Sequence, residues 1–102
     1  MQMERWHEES DGQLDESAMC EKLERKGFDV RFYSYPPGTY FPPHTHGVDK
    51  WDGVLAGRFR MVMGGQEVVL EAGDMLFVPK GVSHSAEVVG DDSVVSVDAV
   101  RP

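Results

Sequence analysis

Beyond Gly27 the chain alternates between short runs of β-forming residues and clusters of turn residues. RFRMVM (Arg58–Met63) is the clearest run. Phe59, Met61 and Met63 alternate with Arg58, Arg60 and Val62, the period of two that a half-buried strand requires. FDVRFYSY (Phe28–Tyr35) holds β-formers throughout, and WDGVLAG, GGQEVVL, DMLFVP, SHSAEVV and SVVSVDAV follow at short, even spacing. Between them stand PPG at 36–38, EAGD at 71–74 and VGDDS at 89–93, all turn chemistry. Gly64-Gly65 suits a two-residue hairpin joining Arg58–Met63 to Gln66–Leu70.

The segment LDESAMCEKLERK (residues 14–26) has a different period and predicts a helix. Leu14, Ala18, Met19 and Leu23 form a narrow apolar stripe. Asp15 and Glu16 near its start, and Arg25 and Lys26 near its end, match the helix dipole, with Gly27 placed to end it. Residues 1–13 read as a loosely docked arm. Trp6 within it packs on something, either the core of its own chain or a partner subunit. The pattern predicts an all-β sandwich or barrel over residues 28–102, preceded by an arm and one short helix over residues 1–27.

A length of 102 residues suits one domain with a modest core. No apolar run reaches the roughly 18 residues of a membrane span, so no membrane partner is expected. The N-terminal MQMERWHEESDGQ lacks the apolar core of a signal peptide, which makes the cytoplasm the expected location. The one cysteine, Cys20, excludes an internal disulfide and reads as a half-buried helix residue. The formal net charge of −8 repels phosphate backbones and argues against nucleic acid as a partner. Arg58 and Arg60, with Glu67 and Glu71 near them in sequence, read as a solvated strand face.

Candidate chemistry resides in the histidines. Of four, His7 lies in the arm with no other ligand type beside it, whereas His44, His46 and His84 fall in the β region. His44 and His46 are one residue apart, and His84 follows a proline–glycine turn at the start of a strand. Two accounts of the residues stand side by side. Three neutral imidazoles converging inside a barrel would form one face of a divalent-metal site, with open positions for water or substrate. Equally, they are ordinary polar residues at loop edges.

The spacing of these residues resembles that of the cupins, a family of small β-barrels with two motifs. GTYFPPHTHGVDKWDGVLAG carries the first, with Gly38, His44, His46 and Gly57 in register, and GDMLFVPKGVSHSAEV carries the second, with Gly73, Pro79, Gly81 and His84. The resemblance covers roughly residues 30–100. It implies a jelly-roll barrel, or double-stranded β-helix. It also implies one divalent ion (Zn, Fe, Mn, Ni or Co) held by His44, His46 and His84, a small-molecule ligand and a homodimer. Cupins with such sites include dioxygenases, isomerases, epimerases and decarboxylases. Others are non-enzymatic sensing modules, or storage proteins without metal.

Two positions depart from the family pattern. Lys50 stands where the motif has a ligating glutamate, and Val88 where it has an asparagine that is not a ligand. A protonated lysine cannot coordinate a metal, so the fourth protein ligand is missing. Strand alternation puts Asp52 on the same face as Lys50 and turns Asp49 away. Lys50 then points to solvent, pairs with Asp52 at the pocket wall, or faces the metal's open side to receive an anion. The inward placement near Asp52 is the expectation carried forward, with a small, polar, anionic ligand. In the metal-free alternative, Lys50 fills the metal's space.

Overall fold

The predicted helix forms as α2 (Glu16–Arg25), in a computed structural model that describes residues 1–102. Asp15 caps it, its Oδ1 accepting from the Ala18 N–H at 2.8 Å. At the other end Gly27 turns with φ +92°, and the Phe28 N–H returns to the Leu23 carbonyl. Met19 and Leu23 of its apolar stripe are fully buried, and Cys20 is half-buried.

Nine strands make up the rest of the fold: β1 (Gln2–Glu4), β2 (Asp29–Tyr35), β3 (Tyr40–His44), β4 (Lys50–Ala56), β5 (Arg58–Met63), β6 (Gln66–Leu70), β7 (Met75–Val78), β8 (His84–Val89) and β9 (Val94–Val100). They form a five-stranded sheet in the order β1-β7-β4-β9-β2 and a four-stranded sheet in the order β3-β8-β5-β6. The two-residue hairpin forms as predicted. Gly64 and Gly65 both take positive φ, and Met63 pairs with Gln66.

The inner faces of the sheets enclose one apolar cluster, with Val54, Phe59, Met61, Leu70, Leu76 and Val78 among its members. A second cluster lies between α2 and the outside of the five-stranded sheet, where Met19 and Leu23 meet Trp51, Met75, Val97 and Ala99. β4 is therefore covered on both faces. Lys50, Asp52 and Val54 face inward, and Trp51 and Gly53 face the helix. A Cβ on Gly53 would stand 3.1 Å from Met19 Sδ and 3.3 Å from Met75 Cγ, so the glycine lets α2 approach the sheet.

The first residues are held more firmly than an arm. Gln2–Glu4 pairs antiparallel with β7, and a one-turn helix α1 (Glu8–Asp11) follows. Glu4 accepts from the Lys26 ammonium at 2.7 Å. Trp6 packs within its own chain. Its Nε1 donates to the Gly12 carbonyl at 2.9 Å, and a Cβ on Gly73 would lie 2.5 Å from its own Cβ. β3 has no counterpart among the predicted strands because its sequence is YFPPH. Two prolines cannot donate to a ladder, so the strand is confined to a sheet edge, pairing only with β8, and its register slips between Phe41 and His44. Arg60 reaches Glu67 and Glu87 across neighbouring strands, the solvated face expected of it. No helix is long and apolar enough to cross a membrane.

Gly57 and Gly38 separate two costs of a side chain. Both have positive φ, +81° and +84°. A Cβ at Gly57 would lie 2.4 Å from the Ser93 carbonyl oxygen, whereas at Gly38 nothing lies within 4 Å. Gly38→Ala is expected to cost about 1 kcal/mol of stability, the left-handed penalty alone. Gly57→Ala should cost about 3 kcal/mol or more, because backbone must also move. Urea denaturation giving equal losses would contradict this packing.

Candidate metal centre

His44 ends β3, His46 lies in the loop after it, and His84 opens β8 directly opposite His44. A hydrogen bond from the Gly81 N–H to the His46 carbonyl, 2.9 Å, ties that loop to the Pro79–Gly81 turn. Asp49 accepts from the Lys80 N–H at 2.7 Å, so its carboxylate braces the same turn and stays out of the pocket. The proline–glycine turn and the His44–His46 loop thus hold each other, and the three rings come together. Their centroids stand 4.4–5.0 Å apart. His7 stays outside, at the start of α1.

The rings are oriented by backbone. His44 Nδ1 lies 2.7 Å from the Pro42 carbonyl and His84 Nδ1 lies 3.1 Å from the Val82 carbonyl. A carbonyl only accepts, so each Nδ1 carries the proton and each Nε2 keeps its lone pair. The Nε2 atoms of His46 and His84 are buried with no hydrogen-bond partner. Burial, with Lys50 and the neighbouring imidazoles adding to it, pushes the His46 pKa down to about 4. His84 is lowered by burial in the same way, against the opposing pull of the Val82 carbonyl. These two rings are neutral near pH 7, the form in which imidazole binds metal. One candidate ligand atom from each ring lies within 4.8 Å of the others. Typical Zn–N bonds span at most about 4.2 Å between two nitrogens, so the set fits a divalent ion after a small closure.

Lys50 points into the barrel and is 7% exposed. Its ammonium stands 3.1 Å from Asp52 Oδ1 and 3.3 Å from Asp98 Oδ1. Asp52 and Asp98 are opposite each other in the β4–β9 ladder, a placement that repels when both are charged. The lysine between them offsets that repulsion. Burial opposes the ammonium, but the two carboxylates outweigh it and hold the Lys50 pKa above the usual lysine value. Burial pushes Asp52 up to about 6, with Lys50 pulling it down and Asp98 pushing it further up. The cluster therefore keeps its positive charge on Lys50, and burial makes the Asp52 carboxyl easier to protonate. Asp98 Oδ1, though near the ammonium, is buried and lies outside hydrogen-bond alignment with any donor.

These groups share a cavity of about 190 Å³. Its apolar wall contains Tyr35, Phe41 and Phe59, the first two edge to face at 5.0 Å, with Met61 and Ala86 beside them. Ser96 and Asp98 line it too. Neither was among the residues singled out from sequence. The available signal was Asp98 itself, the one charge in the run SVVSVDAV and in phase with inward-facing Val94.

Acid stability of the metal-free protein tests the two shifted groups. His46 titrates at about 4 when folded against 6.5 in a model peptide. The unfolded chain binds more protons between those values, so this term raises stability as pH rises through the window. Asp52 titrates at about 6 against 3.8. Here the folded form binds more protons, so its term lowers stability as pH rises. As pH falls from 6.5 to 4, His46→Asn should gain stability relative to the parent and Asp52→Asn should lose it. Urea titrations in a chelator should show the two variants diverging; parallel profiles for parent and both variants would contradict the assignment.

Residues 31–100 match the sequence model of the cupin domain. No curated protein is detectably similar to the chain in sequence. Among solved structures, a cupin-2 domain containing protein from Shewanella frigidimarina superposes with a TM-score of 0.63 at 21% identity, over 74% of this chain and 72% of that one. Salicylate 1,2-dioxygenase from Pseudaminobacter salicylatoxidans superposes with a TM-score of 0.65 at 23% identity, over 74% of this chain and 21% of the enzyme. Oxalate decarboxylase gives a TM-score of 0.63 at 23% identity, over 74% and 22% respectively. The chain spans about a fifth of the length of each of these two enzymes. Two antiparallel sheets closed over a histidine-lined cavity, both motifs in register, and a domain match across most of its length make the chain a member of the cupin family.

Proposed function

We propose that this cupin binds one divalent metal ion through His44, His46 and His84 and receives a small anionic molecule beside it. The observation that carries the reading is the pair of buried, unpartnered Nε2 atoms on His46 and His84. Buried polar atoms without a partner are costly and mark a missing one. A divalent ion would supply Lewis acidity toward a ligand oxygen, or dioxygen chemistry if it is iron.

Charge supports an anion as the ligand. With neutral histidines, Lys50, Asp52 and Asp98 leave the metal-free cavity one charge negative when both acids are ionised. A divalent ion makes it one charge positive, and protonation of Asp52 adds to that. Lys50 stands inside the cavity as an ammonium, and the aromatic wall beside it lowers the local polarity and strengthens its field. Salicylate and oxalate, named for two structural neighbours, are both carboxylates. The metal-free alternative fits less well, because the Lys50 ammonium is committed to two carboxylates and not to the histidines. Dioxygenase, isomerase and decarboxylase chemistry all remain within this reading. Binding without turnover is the second reading, in which the Lys50 ammonium serves to hold the anion. The reading extends to a symmetric homodimer, since β2 and β6 each end a sheet with an open edge.

Calorimetric titration of tag-free protein with Zn(II) should give about one site per chain. His84→Ala should weaken that site by more than an order of magnitude. Lys50→Met should strengthen zinc binding several-fold, because a cation near the ion is removed, and should weaken acetate binding to the zinc-loaded protein. If His44→Ala, His46→Ala and His84→Ala each keep full metal content, the ligand set is wrong.

A further inference from the structure

Asp98 is the cavity group that the metal reading leaves without a task. It lies on β9 opposite Asp52 and lines the same cavity as the three histidines. Lys50 holds its carboxylate by charge at 3.3 Å. That ammonium contact is off hydrogen-bond alignment, and no other donor is aligned on the buried Oδ1, so the oxygen can still accept a hydrogen bond from a ligand. The same cavity contains the Nε2 of His84, a residue only 2% exposed, which also lacks a partner.

The cavity thus has two unmet requirements of opposite kind. The imidazole lone pairs require an electron-pair acceptor, which a metal supplies and an anionic oxygen then completes. The Asp98 oxygen, held by Lys50 on one side, has acceptor capacity left for a hydrogen. A single molecule meets both when it carries a carboxylate for the metal and a hydroxyl for Asp98. The space, about 190 Å³, corresponds to roughly six waters of liquid, which suits a small acid. Phe41 and Phe59 give it an apolar surface to rest on.

We propose that Asp98 sets the specificity of the cavity, selecting small hydroxy acids whose hydroxyl donates to its Oδ1 while the carboxylate sits on the metal side. This rests on the metal-and-anion reading above and adds to it the class of anion. An acid of the same shape without the hydroxyl leaves Asp98 Oδ1 with the Lys50 ammonium alone and brings a second negative group close to it. Sites built around a buried hydrogen-bonding group reject analogues that cannot satisfy it.

Calorimetry on the Zn(II)-loaded protein tests the proposal with two pairs of acids, lactate against propionate and mandelate against phenylacetate. The parent should bind each hydroxy acid at least ten-fold more tightly than its partner. A hydroxyl next to a carboxylate also chelates metal directly, so the deciding measurement is made on variants. Asp98→Ala should lose at least ten-fold in affinity for the hydroxy acids and keep or improve its affinity for the others. Asp98→Asn, nearly the same shape, should fold as the parent does and keep part of the preference, because its amide oxygen still accepts. If Asp98→Ala binds both members of each pair with the parent's ratio, the preference is chelation alone and the proposal is overturned. If zinc binds through the three histidines but neither member of any pair binds, the anion reading itself fails and this proposal falls with it.

Discussion

One ammonium group settles what the inside of this barrel can be. Asp52 and Asp98 face each other across neighbouring strands, both turned toward the space between the sheets. Two carboxylates at such a position favour a different register or a hydrated gap. Lys50, two residues along β4 on the same face, brings its Nζ within 3.1 Å and 3.3 Å of the pair. The β4–β9 ladder can then run at its observed register with a polar floor enclosed by apolar walls. A buried ion cluster of this kind is weak evidence for added stability. Its consequence is a cavity where Val54, Leu76 and Val78 would otherwise continue as solid core.

The histidine side of the cavity follows from backbone restraint. Pro42 and Pro43 deny β3 a full ladder, and the strand kinks between Phe41 and His44. The Gly81-to-His46 and Lys80-to-Asp49 hydrogen bonds then fix the loop that follows. Carbonyls of Pro42 and Val82 accept hydrogen bonds from the Nδ1–H groups of His44 and His84, which leaves the other ring nitrogens with their lone pairs. Burial keeps His46 and His84 neutral, and the Lys50 charge pushes the same way. The lysine at the position of the family's carboxylate ligand therefore also acts on His46 and His84: it discourages their protonation and leaves their Nε2 lone pairs available.

Much of this was legible in the sequence, and the exceptions share a cause. RFRMVM alternates because β5 has one wet face, and Gly64-Gly65 marks its hairpin because only glycine takes two successive positive φ values easily. The three histidines were legible through their spacing from Gly38, Gly57, Gly73 and Gly81. β3 was not, since its prolines hide a strand whose residence at a sheet edge is a tertiary fact. β1 was not, since three residues of mixed polarity carry no period and gain their pairing only from the exposed side of β7. Asp98 was missed because β4 and β9 are covered on both faces, by the cavity and by α2. Alternation disappears in such strands, and the face on which a lone charge lies becomes visible only once the sheets are assembled.

The central claim is that three imidazoles alone hold the metal while Lys50 stays between its two acids. A crystal of the zinc-loaded protein, measured at the zinc absorption edge, tests it most directly. The account predicts one anomalous peak per chain, about 2.0–2.1 Å from a nitrogen of each of His44, His46 and His84, with the Lys50 ammonium still between Asp52 and Asp98. Zinc bonded to either aspartate, with the Lys50 side chain swung out of the cavity, would contradict it.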